Sequence, residues 1–314
     1  MALLLSAHVW FDPMPRYKFP ASRCSATKAS PRVCYIPGLD GTHTSPFAQW
    51  PALAESGFAI SVLDPRATPV DESFEVTVDR VIDHLSCNEP SAPTLLMGES
   101  YGGVVAAAVA LRAPSLLAGL ILVNSATAFG HRPQLQADAL ILAKVPEWLF
   151  SAACFVLLGR KTFDLGFVTS ALRDVVIERR LQKLKESDPA LAGFYTNALE
   201  DLTQQLAQLP PRNFMIARVA HLRDGCEFVE PKLASMRPPV LVIAGTADAL
   251  LDSEAEAKRL QSILGRERCK IHLVEGAGHA GTLDQRIDLR RVLAEWAAEA
   301  PGLEQKLPLH VSEP

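Results

Sequence analysis

The stretch Thr94 to Ala113, TLLMGESYGGVVAAAVALRA, constrains this chain more than any other. A strand-like run, TLLM, passes into Gly98-Glu99-Ser100-Tyr101-Gly102, and small apolar residues suited to a helix follow at once. A Gly-x-Ser-x-Gly held between a strand and a helix predicts a sharp turn that lifts the serine hydroxyl out of a sheet. The glycines are needed where a side chain would strike the neighbouring strand or helix. Alone the pattern is weak; its placement gives it meaning.

The rest of the chain has the matching alternation. Strand-length apolar runs end at Gly38 (RVCYIPG) and Asn124 (LAGLILVN), start at Phe58 (FAISVLDP), and return late as PVLVIAGTAD and CKIHLVEGAGH. Between them lie helical patterns at residues 74–86 and 102–112, with a closing helix near residues 285–299. Such alternation predicts βαβ units and a parallel sheet. The turns at the C-terminal ends of the strands are where such a sheet carries its chemistry. From about Thr127 to Pro238 the strand pattern stops, and helix formers such as VVIERRLQKLKES and NALEDLTQQLAQL take over. The alternation gives an expected α/β fold class, a mostly parallel sheet flanked by helices with a helical cap inserted between core strands, and the Gly-x-Ser-x-Gly turn between strand and helix is the one an α/β-hydrolase fold carries. The division expected is a leader or extension at 1–30, a core at 31–126 and 238–300, the cap at 127–237, and a tail at 301–314. The leader has one acid, Asp12, against several basic residues and serines, a balance like that of an organelle transit peptide. Its HVWFDP, however, reads as the start of a folded domain.

Composition narrows the function classes. With 314 residues, 48% of them hydrophobic and 21% charged, the chain can bury one large core. A formal net charge of −4 offers no basic face for nucleic acid. Six cysteines include no C-x-x-C pair, which argues against a zinc or thioredoxin-like centre. Cys34, inside RVCYI, is expected as a buried reduced thiol, and this usage favours a reducing compartment. The longest apolar run, WLFSAACFVLLG, is short of the roughly 18 residues that span a bilayer. No G-x-x-x-x-G-K-[ST] and no H-E-x-x-H occur, so no cofactor and no metal are implied.

A serine becomes a nucleophile only when a base takes its proton and an acid holds that base in the right tautomer. The turn at Ser100 thus predicts an Asp or Glu and then a His at later strand ends. Asp248, in VLVIAGTADALLDS, and His279, in IHLVEGAGHAGTLD, stand in that order and in small-residue turns. Asp252 competes with Asp248, but reads as the cap of a helix beginning at Ser253. His272 falls inside a strand and His84 inside a helix, leaving His279 as the base; Asp284 reads as a surface or cap residue. Backbone donors for an oxyanion are expected at Tyr101 and in the loop IPGLDGTHTSPF, from Leu39 or, second, Asp40. Asp40 is also expected to touch substrate, while His43 reads as a solvated loop residue.

Beyond the turn, the segments IPGLDGT, MGESYGG, LILVNSATAF, AKVPEWL, LRDGCEF and LVIAGTADALLDSEAEAKRLQSIL resemble the phytyl ester synthases of plants and algae. These belong to the esterase/lipase/thioesterase-like diacylglycerol acyltransferase family of plastids. The resemblance runs from about Trp10 to Arg291 and includes the cap. It implies a Ser-Asp-His triad at Ser100, Asp248 and His279, transfer of fatty acyl groups to phytol or diacylglycerol, and a plastid location. Such proteins commonly carry a second, acyltransferase-like region marked by H-x-x-x-x-D. This chain ends soon after its closing helix, so acyl transfer here is expected to run through an acyl-Ser100 intermediate. The segment ALILAKVPEWLFSAACFVLLG is expected to set an apolar surface beside Ser100, with Trp148 and Phe150 as substrate contacts and a patch for a membrane or lipid-droplet surface. The partners implied are a lipid-type acyl donor and a long-chain alcohol or water. Two alternatives stand beside transfer to an alcohol: a carboxylester hydrolase or lipase, and a non-catalytic ligand-binding protein on the same scaffold.

Overall fold

The computed structural model describes residues 11–12, 30–39, 41, 45–46, 49–63, 71–87, 92–154, 186, 212–280, 282–283 and 286–307. Seven strands form one sheet in the order β1-β3-β2-β4-β5-β6-β7. They are β1 (Phe11–Asp12), β2 (Arg32–Ile36), β3 (Ala59–Leu63), β4 (Thr94–Glu99), β5 (Gly119–Val123), β6 (Val240–Gly245) and β7 (Cys269–Val274). Strands β2 to β7 run parallel, and β1 pairs antiparallel with β3 at the edge. The helices are α1 (Trp50–Glu55), α2 (Phe74–Cys87), α3 (Tyr101–Arg112), α4 (Pro133–Lys144), α5 (Glu147–Cys154), α6 (Arg212–Val229), α7 (Ser253–Leu264) and α8 (Leu289–Glu299).

The strands read as continuous apolar runs because both faces of the sheet are covered. Successive side chains point to opposite faces, and the register carries this across the sheet. Cys34 pairs with Leu96, Leu96 with Leu120, and Leu120 with Val240; all four lie in one core beneath α2, α3, α6 and α7. Their neighbours Tyr35, Met97, Ile121 and Leu241 face a second core closed by α1 and α8. Helix α2 contributes Phe74, Val78, Val81 and Leu85, a helical spacing that builds one apolar stripe. Helix α8 does the same with Leu289, Val292, Leu293 and Trp296, and Asp288 caps it by accepting from the Arg291 N–H at 3.1 Å. Helix α3 is buried from Tyr101 to Ala110, because the sheet lies on one side and other helices on the rest. Its alanines let those neighbours approach.

Between β5 and β6 the described residues are helical or irregular and include no strand. The two segments VVIERRLQKLKES and NALEDLTQQLAQL lie, apart from Glu186, outside the described residues. Helix α6 lies inside the 127–237 range expected for the cap. Its Leu222, Cys226 and Val229 are part of the core beneath the sheet, and it packs on α3 and α4. Of the 1–30 leader, Phe11–Asp12 and Ser30 are described, and Phe11–Asp12 join the sheet as β1. Among the described residues no helix is long and apolar enough to cross a membrane.

Candidate active site

Ser100 stands between the end of β4 and the start of α3 with φ 53° and ψ −115°. That backbone region is strained for any residue but glycine. Three contacts hold it: the Ser100 N–H donates to the Val123 carbonyl at 2.9 Å, and the Ser100 carbonyl accepts from Gly103 and Ala126, both at 3.0 Å. The glycines of the motif now have a cause. A Cβ at Gly98 would lie 2.2 Å from the Gly102 carbonyl oxygen, and one at Gly102 would lie 2.1 Å from that of Ile36. The turn closes only if both positions lack a side chain.

Asp248 follows β6 and His279 follows β7, and the structure brings both to Ser100. His279 Nε2 is 3.0 Å from Ser100 Oγ, and His279 Nδ1 is 2.8 Å from Asp248 Oδ2. All three residues are buried. Asp248 Oδ1 accepts from the N–H groups of Leu250 (2.9 Å) and Leu251 (3.1 Å), and Oδ2 from the Ser253 hydroxyl at 2.5 Å. Burial pushes the Asp248 carboxyl up, but the neighbouring His279, Ser253 and Leu251 donors outweigh it and hold the group below the ordinary carboxylate range. As a carboxylate it accepts from Nδ1–H, which makes Nε2 the acceptor of the Ser100 proton.

Asp252 occupies the first cap position of α7 but its side chain makes no cap bond; it pairs with Arg132 at 3.3 Å instead. His84 and His272 stay in α2 and β7. Asp40, His43 and Asp284 lie outside the described residues. The spacings H-x-x-x-x-D (His279 to Asp284) and G-x-G-x-x-G (Gly276 to Gly281) both occur in the sequence around His279. Neither carries its usual meaning, since the turn delivers His279 to Ser100 and Asp248. Cys34, Cys226 and Cys269 are free and buried. Burial raises all three thiols, Cys226 to about 11 and Cys269 to about 12, so they stay protonated.

Three site features were absent from the sequence reading. Asn124, with φ 41° at the end of β5, donates to the His279 carbonyl (2.7 Å) and the Thr282 hydroxyl (2.6 Å). Its Oδ1 accepts from the Gly245 N–H at 2.9 Å, so one fully buried amide ties β5, β6 and the His279 turn together. On α6, Arg218 Nη1 donates to the carbonyls of Gly38 (2.7 Å) and Leu39 (3.3 Å). His221 stands between Tyr101 and Glu72: its Nε2 is 2.7 Å from the Glu72 carbonyl, which can only accept, so Nε2 carries the proton. Nδ1 then accepts from the Tyr101 hydroxyl at 3.1 Å. Burial lowers the affinity of His221 for a second proton.

A cavity of about 300 Å³ opens over Ser100. Leu39, Phe129, Leu142, Phe150, Val219 and Leu251 are among the largely apolar residues of its wall. Leu39 and Ser100 therefore face the same space, and the N–H of Tyr101 opens α3 beside it, where a helix leaves its first N–H groups without internal acceptors. Phe150 is in the wall as expected; Trp148 departs from the expectation, because α5 turns its indole outward, 82% exposed, away from the cavity. Leu140 both lines the cavity and reaches the surface, where Ile141, Trp148 and Leu149 are also exposed.

A mostly parallel sheet, helices on both faces, and a buried serine on a strand-to-helix turn beside a late histidine define an enzyme of the α/β-hydrolase superfamily. Within it, the chain belongs to the Hydrolase_4 family, described as serine aminopeptidase, S33, whose model matches residues 72–286. Among curated relatives it is 32% identical over 288 residues to phytyl ester synthase 1, chloroplastic, of Arabidopsis thaliana, covering 89% of this chain and 38% of that protein. Phytyl ester synthase 2, chloroplastic, of the same plant is 24% identical over 298 residues, covering 90% of this chain and 39% of the relative. The chain thus spans about two fifths of the length of these relatives. Among solved structures, an alpha/beta hydrolase enzyme from a Medee basin deep-sea metagenome library matches with TM-score 0.58 and 16% identity, covering 88% of this chain and 92% of the other.

Proposed function

We propose that the chain transfers fatty acyl groups through an acyl-Ser100 intermediate, from a lipid-type donor to a long-chain alcohol such as phytol. The observation that carries this is the hydrogen-bonded Ser100–His279–Asp248 chain at the floor of an apolar cavity. The likeness to two phytyl ester synthases supports the acyl group and alcohol as substrates, and a plastid as location.

In the first half-reaction Ser100 Oγ attacks the donor carbonyl carbon while its proton passes to His279 Nε2. The carbonyl oxygen takes the electron pair and rests on the N–H groups of Leu39 and Tyr101. The intermediate collapses, the bond to the leaving alkoxide breaks, and His279 returns the proton to that oxygen. An acceptor hydroxyl then repeats the sequence: His279 takes its proton, its oxygen bonds to the acyl carbon, and Ser100 leaves and regains a proton. Asp248 orients His279 and balances its charge in both halves. Water in place of the alcohol turns the same steps into ester hydrolysis. An apolar wall favours the alcohol by excluding water from the acyl-enzyme.

Leu140, Ile141, Trp148 and Leu149 form the surface proposed to meet a lipid membrane or droplet, because Leu140 makes that patch continuous with the cavity wall. A partition assay tests the reaction. A labelled long-chain acyl lipid is supplied with and without phytol to the protein and to Ser100→Ala. Serine-dependent phytyl ester is the expected result. Serine-dependent free acid alone, unchanged by phytol, would make the chain a lipid hydrolase, and failure of a fluorophosphonate to label Ser100 would point to a non-catalytic binding protein.

A further inference from the structure

We propose that Arg218 is a positioning residue that sets the oxyanion-binding backbone of this site, so that helix α6 controls how well the developing negative charge is held. The inference rests on the acyl chemistry proposed for Ser100.

Arg218 is 5% exposed, and its guanidinium is held on several sides. Its carbon lies 4.2 Å from the centre of the Phe214 ring and 4.9 Å from that of Tyr101. From this packed position Nη1 reaches the carbonyls of Gly38 and Leu39. The peptide joining those two residues is trans, as are all described peptide bonds. In a trans peptide the C=O and N–H point in opposite directions. Fixing the Gly38 carbonyl on Arg218 therefore turns the Leu39 N–H away from the guanidinium, and a loop at the lip of the cavity becomes a directed donor. The Gly41 N–H also donates to the Gly38 carbonyl, at 3.1 Å, so the turn keeps one local hydrogen bond without Arg218. What it then lacks is the tie to α6 that fixes the direction of the Leu39 N–H.

The second donor is tied to the same helix. Three residues after Arg218, on the same face of α6, His221 accepts from the hydroxyl of Tyr101, whose N–H is the other proposed donor. The His221 ring also stacks on the Tyr101 ring, with centroids 6.3 Å apart and planes 28° apart. One face of α6 thus grips both halves of the oxyanion site: the β2 loop through Arg218, and the start of α3 through Arg218 and His221. Lysine does not replace such an arginine, because a single ammonium lacks the planar fork and the stacking face.

The test compares wild type, Arg218→Lys and Arg218→Ala on p-nitrophenyl octanoate, with melting curves for each. Affinities are also measured for two octyl ketones. A trifluoromethyl ketone takes Ser100 Oγ onto its carbonyl carbon, passes the serine proton to His279 and leaves an oxyanion; the matching methyl ketone remains a neutral ground-state ligand. Removing one oxyanion donor costs on the order of 100- to 1000-fold in kcat, so misdirecting one is expected to lower kcat roughly 10- to 100-fold in a folded Arg218→Lys. KM and methyl ketone affinity should stay within about twofold, while trifluoromethyl ketone affinity falls in step with kcat. Added guanidinium ion should restore part of the activity of Arg218→Ala, and if that variant does not fold the lysine variant decides alone. Unchanged kcat and trifluoromethyl ketone affinity in Arg218→Lys, or a loss carried wholly by KM, would overturn the proposal. A wild type whose Ser100 resists a fluorophosphonate would remove the acyl chemistry beneath it; a labelled wild type beside an unaffected Arg218→Lys would remove this inference only.

Discussion

Asp248 and Asn124 show what a single residue contributes here. Asp248 is ionised against its burial by His279 and a ring of donors. Because its folded value is depressed, its stabilisation is complete above the unfolded value of about 4 and is lost as pH falls through the folded value. The melting-temperature gap between wild type and Asp248→Asn should therefore stay constant near neutrality and narrow below about pH 4. The same substitution should cut kcat by about 10⁴-fold, since it leaves His279 in the wrong tautomer. Asn124→Ala removes three hydrogen bonds around the His279 turn and strands the buried Gly245 N–H. A loss of about 2–3 kcal/mol is expected in urea unfolding, with kcat falling further than KM rises. Ser100, Asp248 and His279 were legible because each ends a recognisable strand in small-residue surroundings. Arg218 and His221 were not, because they stand in a helix read as part of a cap and their partners lie in remote parts of the chain.

At the scale of the element, the strand-to-helix turn was the most legible feature, since its glycines leave a fixed pattern. The structure supplies the reason in distances that backbone cannot yield. Gly102→Ala would drive a methyl group into the Ile36 carbonyl. It should destabilise the protein by about 3 kcal/mol or more and abolish fluorophosphonate labelling, as read by a melting curve and a labelling gel. Helices α2, α3 and α8 and strands β2 to β7 were readable within a few residues, because burial on two faces or on one stripe writes a period into the sequence. Strand β1 is two residues long and α1 six, too short to show any period. Asp252 misled by type: an aspartate before a helix suggests a cap, but Arg132 draws its carboxylate away.

Across the whole molecule, the parallel sheet was legible and the reach of the cap was not, because α6 wears a polar enough sequence to look peripheral while its apolar stripe is core. The exposed Ile141 and Leu149 belong to this scale too. The double variant Ile141→Glu, Leu149→Glu should keep its kcat on a soluble ester within about twofold, since exposed positions carry little stability, and should sediment less with phosphatidylcholine vesicles. The β5–β6 pairing has a different consequence. Ser100 precedes the segment between β5 and β6, Asp248 and His279 follow it, and among the described strands only the β5–β6 ladder joins the two sides. A polypeptide severed within that segment would part the nucleophile from its base and acid. The proposed ester chemistry would then require the pieces to re-associate along that ladder, which makes the protein a template for a fragment-complementation sensor.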